Sequence, residues 1–179
     1  MVKDSCTDKP DVKLTYEPVD AVTVRFDVVR SFDRPLVHSN LLEKLADDRV
    51  ATELDWQLYL LQRRFLDYQV NVGNRMIAML TSGDPEAKAK AQEAAQARVQ
   101  FQDMVDELFS ETGKKIVRSS NEIQLEQFGE VLSPYKLSSG EKQMLVILLT
   151  VLVEDRQPYV LFMDEPEISL QIKFFTFFR

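Results

Sequence analysis

The chain has 179 residues, of which 45% are hydrophobic, enough to bury one ordinary core with an appended helical element. A formal net charge of −7 and a pI of about 4.9 argue against nucleic acid as a partner of the chain as a whole. The single cysteine, Cys6, excludes an internal disulfide. The longest apolar run, Met144 to Val153 broken only by Thr150, is too short to span a membrane, and the opening Met1-Val2-Lys3-Asp4-Ser5 lacks a signal peptide's apolar core, so the expected setting is a reducing cytoplasm.

Residues 1–18 are polar and contain Pro10 and Pro18, the composition of a loose, poorly ordered leader. Residues 19–51 read as a strand and linker of a larger core: Val22, Val24, Phe26 and Val28 alternate with Thr23, Arg25 and Asp27, up to Asp33-Arg34-Pro35, and helical spacing begins weakly near Asn40. From Thr52 the spacing strengthens. Leu54, Leu58, Leu61, Phe65, Tyr68 and Val72 form a heptad seam, broken at Thr81-Ser82-Gly83-Asp84-Pro85, where Asp84 suits an N-cap and Pro85 the first position of a second helix. That helix should face its partner with Ala87, Ala91, Ala94, Phe101, Val105 and Leu108 and stop at Thr112-Gly113. Residues 52–112 are therefore expected to be an antiparallel helical hairpin. Trp56 and Tyr59 read as local packing or a partner surface, and Arg63-Arg64 as a solvated edge.

Within residues 113–179 the period returns to two at Ile116, Ile123 and Leu125, with a turn at Phe128-Gly129-Glu130 leading into Val131-Leu132, the pattern of short antiparallel strands. A helix from Ser139 to Glu154 follows, then a continuous apolar strand, Tyr159 to Met163, expected to be buried on both faces. Four phenylalanines crowd into Phe174 to Phe178 at the end.

Two segments carry chemistry. Leu137-Ser138-Ser139-Gly140-Glu141-Lys142-Gln143 opens a helix with hydroxyls and a glycine. Ser138-x-x-Glu141 is a capping box, but capping leaves unexplained a poor helix former, Gly140, in the first turn; close approach of a phosphate to the backbone explains it. Asp164 and Glu165 end the apolar strand, the edge at which α/β sheets place ligands: an aspartate there suits magnesium and the adjacent glutamate an attacking water. Alone, Asp-Glu-Pro could equally begin a turn.

Together, Leu132 to Gln143 and Phe162 to Leu170 resemble the signature and Walker B motifs of bacterial AAA-domain ATPases of ABC type, soluble enzymes related to the overcoming-lysogenization-defect and SMC-like groups. The resemblance implies a mixed α/β fold, a partial P-loop NTPase core with the helical hairpin inserted, and ATP and Mg2+ as ligands. It further implies a dimer in which Ser138, Ser139, Gly140 and Glu141 reach, in trans, the triphosphate held by the other protomer. Asp164 would hold magnesium, Glu165 would activate water as the catalytic residue, and Glu167 to Leu170 would lie in a loop communicating across the dimer. Ser139 stands where the family more often has glycine. No Gly-x-x-x-x-Gly-Lys-Ser/Thr loop occurs, and the single histidine, His38, lies far from the family's switch position, where it reads as a surface residue. The chain is thus expected to be a fragment, inactive alone, that works with a Walker-A-bearing partner chain or as a homodimer once completed, with DNA or an effector protein as a further partner by family analogy. The alternative is a non-catalytic protein- or DNA-interaction module built on the helical hairpin, with Arg63 and Arg64 contacting DNA.

Overall fold

The computed structural model describes residues 11–14, 22–29, 34–35, 50–154 and 159–163. They are mixed α/β and divide into two compact units, residues 1–31 with 154–179 and residues 32–153.

In the first unit, alternation of apolar and polar residues produces strand β2 (Val22–Val29), as its period predicts. Within the stretch read as a leader, β1 (Asp11–Leu14) pairs antiparallel with β2, Val12 opposite Val24. On the other side, β6 (Tyr159–Met163) pairs with β2 in parallel, Phe26 opposite Val160 and Val28 opposite Phe162. Phe26 and Phe162 meet edge to face with ring centroids 5.9 Å apart. The expectation that β6 is buried on both faces fails: Val160 and Phe162 are exposed while Tyr159, Leu161 and Met163 are half-buried. A parallel strand hides both faces only between layers of helix, and the described residues of this unit include none.

The second unit is built on the helical hairpin. Helix α1 (Glu53–Thr81) buries Leu54, Leu58, Leu61, Phe65, Tyr68 and Val72, the whole expected seam. Helix α2 (Ala87–Leu108) answers with Ala87, Ala91, Phe101 and Val105, while Ala94 and Leu108 are only half-buried. At its start, Asp84 Oδ1 accepts from the Glu86 N–H at 2.8 Å and its other oxygen binds Lys90 Nζ at 2.7 Å, so Asp84 closes an Asx turn ahead of a helix that begins at Ala87, later than Pro85. Helix α3 (Ser139–Val153) packs against α1 and α2. Its run from Leu145 to Thr150 is buried without interruption, so α3 is a core helix and not an amphipathic one.

Beyond α2, Gly113 adopts a left-handed φ of 68° that ends the helical segment and turns the chain into a small antiparallel sheet: β3 (Lys114–Ile116), β4 (Leu125–Gln127) and β5 (Glu130–Leu132). Arg118 binds Asp103 and Asp106, each at 2.7 Å, and Asp106 also accepts from the Ile116 N–H, which fastens this sheet to α2. The β4–β5 turn has φ of 53° at Phe128 and 83° at Gly129, the two positive values of a type I′ hairpin turn. Glycine tolerates this. Phenylalanine does so at a cost, and its ring is 92% exposed, so packing recovers none of it. Among the described residues, no helix is long and apolar enough to cross a membrane.

Two substitutions test this division between core and turn. Phe101→Ala empties a site 1% exposed and should destabilise the second unit by about 3–5 kcal/mol, whereas Phe128→Asn should stabilise it by roughly 0.5–1 kcal/mol, both read from urea unfolding midpoints.

Candidate functional site

The segment of residues 137–143 lies at the N-terminus of α3. Pro134–Lys136 makes a short 3-10 turn, Leu137 buries its side chain, and the chain then enters the helix at Ser139. This geometry leaves Ser138 and Ser139 exposed and Gly140 half-buried at the open end of a helix whose body is fixed in the core.

The expected capping box is present. Glu141 Oε2 accepts from the Ser138 backbone N–H and from the Ser138 hydroxyl, both at 3.0 Å, and the Glu141 N–H is directed back to Ser138 Oγ at 3.4 Å. The other carboxylate oxygen accepts from Lys114 Nζ at 2.8 Å and from the Thr112 hydroxyl at 3.0 Å. Burial alone would raise the pKa of Glu141, but the hydrogen bonds from Lys114, Ser138 and Thr112 outweigh it and hold the carboxyl below its ordinary value. Both oxygens are thus engaged within the chain. The resemblance groups Glu141 with the nucleotide-contacting residues; here it holds Ser138 in place.

The next residue, Lys142, points elsewhere. Its ammonium sits 2.8 Å from Asp55 Oδ1, with the two side chains only 8% and 4% exposed, so this is a buried ion pair. Oδ1 makes no aligned hydrogen bond; charge and proximity define the contact. Asp55 Oδ2 accepts from the backbone N–H groups of Ala51 and Thr52, both at 3.1 Å, and the Asp55 N–H donates to Thr52 Oγ1 at 3.2 Å, a second capping box at the start of α1. The Thr52-x-x-Asp55 spacing was a legible signal for that cap. Nothing in sequence spacing pointed to its pairing with Lys142, or to Lys114 and Thr112 behind Glu141.

A separate groove of about 310 Å3 lies between α1 and the loop before the signature, lined among others by Tyr59, Gln62, Arg63, Ser133 and Tyr135, with Gln62 donating to the Tyr135 hydroxyl at 3.0 Å. Trp56 and Tyr59 stack with ring centroids 5.5 Å apart, and both are half-buried. Arg63 is exposed and Arg64 half-buried.

Asp164, Glu165, the loop Glu167 to Leu170, His38, Cys6 and the phenylalanine-rich end lie outside the described residues, as does the weak helical spacing near Asn40. Among the described residues, no group of three or more His, Cys, Asp or Glu is arranged to hold a metal ion. Comparison with protein-family models, with curated proteins and with solved structures gives no match to this chain.

The hydrogen bonds around Glu141 set a pH dependence. Because its folded pKa is depressed, its stabilising contribution is complete above the ordinary glutamate value of about 4.3 and disappears as pH falls through the lower folded value. Urea unfolding at stepped acidic pH should show a steeper loss for the unaltered chain than for Glu141→Gln, which lacks the titrating group.

Proposed function

We propose that this chain is the signature-bearing part of an ABC-type ATPase, in which the first turn of α3 engages the γ-phosphate of ATP held on another protomer or on a Walker-A-bearing partner chain. The observation that carries the reading is the turn at the N-terminus of a buried helix, with Ser138 and Ser139 exposed and Gly140 half-buried. Such a terminus offers N–H groups and the positive end of the helix dipole to an anion. The chemistry suits a phosphate: two exposed serines precede a glycine at the turn, and the nearby carboxylate of Glu141, which accepts from the Ser138 N–H and hydroxyl, is partly neutralised by Lys114.

The Ser138 hydroxyl has one proton, directed at Glu141 Oε2. Rotation of that proton toward a phosphate oxygen leaves Oε2 still bonded to the Ser138 N–H, so the cap survives the exchange. Gly140 allows the phosphate to approach the backbone. Asp164 and Glu165, by resemblance, serve the nucleotide bound in cis: Asp164 would hold magnesium, which supplies charge neutralisation of the phosphates when bound, and Glu165 would orient the attacking water and take its proton.

A second reading is favoured by one observation. Leu66, Val70, Ile77 and Leu80 are exposed along α1, opposite in character to its buried seam, as a non-catalytic module that docks a partner on the hairpin would require.

Nucleotide turnover separates the two. Mixed with a phosphate-loop-bearing chain, this chain should support ATP hydrolysis that Glu165→Gln lowers by about 10²–10⁴-fold while ATP is retained, and that Ser138→Ala also weakens. Absence of ATP uptake in every pairing would favour the interaction module.

A further inference from the structure

The residues that follow Gly140 attach the signature turn to both roots of the helical hairpin. Glu141 is bound by Lys114 and Thr112, where the chain leaves α2. Lys142 is bound by Asp55, in the first turn of α1, where the chain enters the hairpin. Consecutive residues on a helix project about 100° apart, so one turn of α3 reaches two separate neighbours. Both contacts are shielded: the side chains of Lys114 and Glu141 are 13% and 14% exposed, and those of Lys142 and Asp55 less still. At that burial, the geometry of an ion pair is enforced by the cost of leaving either charge alone.

We propose that Lys142 and Lys114 are positioning residues, which hold the Ser138–Gly140 turn in register with the entry and exit of the hairpin for engagement of the triphosphate. The proposal rests on the ATPase reading for its purpose, but its structural core is independent of that reading. Neither lysine touches the nucleotide. Lys142 acts through the backbone of the turn, since its own N–H closes the first helical hydrogen bond on the Ser138 carbonyl at 2.8 Å, and Lys114 acts through Glu141 on Ser138.

Lys142→Met alone would strand the buried Asp55 carboxylate and risks unfolding the chain. The informative variant is therefore the neutral pair Asp55→Asn with Lys142→Met, since asparagine can still accept from the Ala51 and Thr52 N–H groups. Amide hydrogen exchange of the full chain, followed by mass spectrometry, should show exchange in residues 138–143 faster by about tenfold in the neutral pair, with β3–β5 unchanged. Lys142→Arg should restore the original rate, and Lys114→Met should loosen the same turn from the other side. Unchanged exchange at 138–143, or equal acceleration throughout the second unit, would overturn the proposal. With a phosphate-loop-bearing chain supplying bound ATP, the neutral pair should lower kcat by about tenfold and leave KM unaltered, because the nucleotide is held elsewhere. A raised KM with unchanged kcat would also overturn it. If the unaltered chain gives no hydrolysis in any pairing, the ATPase reading fails, while the exchange pattern still decides whether the two lysines position the turn.

Discussion

The buried ion pair between Lys142 and Asp55 is the constraint on which the geometry of the second unit turns. It joins the start of the longest described helix to the start of the most deeply buried one, two elements far apart in the chain. Removing either charge would leave the other stranded in a low-dielectric interior, at a cost on the order of 3–5 kcal/mol, so the contact specifies how α1 and α3 meet even if it adds little net stability. Burial of apolar side chains, Leu54 and Leu58 on α1 and Leu145 on α3 among them, favours packing of the two helices, and the ion pair fixes one point at which they meet.

That specification matters because the only polar end of α3 is its first turn. The body of the helix, from Leu145 onward, is chosen for burial and can present no chemistry. The exposed hydroxyl residues at this end are Ser138 and Ser139, next to Gly140. Ser138 is held by one oxygen of the Glu141 carboxylate, whose other oxygen accepts from Lys114 and Thr112. The negative charge of Glu141 beside the two serines is partly neutralised by Lys114.

Much of this was legible in the residues. The α1 seam is regular, apolar and long, and each of its positions is buried because a heptad pattern has one low-energy solution against an antiparallel partner. The capping box of Ser138 with Glu141 forms as its spacing predicts, and Thr52 with Asp55 adds a second of the same spacing. Gly113 and Gly129 mark turns that require positive φ. What spacing does not encode is pairing across the chain. The partners of Lys142 and Glu141 depend on tertiary packing, and so does the exposure of Val160 and Phe162 in a strand whose composition suggests full burial. Half of the proposed chemistry, Asp164 and Glu165, is legible in sequence and lies outside the described residues.

In the function proposed above, the first turn of α3 receives the terminal phosphate of a nucleotide presented by another chain. Backbone amide signals of Ser139 and Gly140, followed by NMR during addition of ATP, magnesium and a phosphate-loop-bearing chain, test it most directly. Both signals should shift with ATP and return when ADP replaces it, since only the triphosphate supplies the γ-phosphate. Signals that stay fixed at Ser139 and Gly140 while those of Val70 and Ile77 move would contradict it, and would assign the contact to the flank of the hairpin instead.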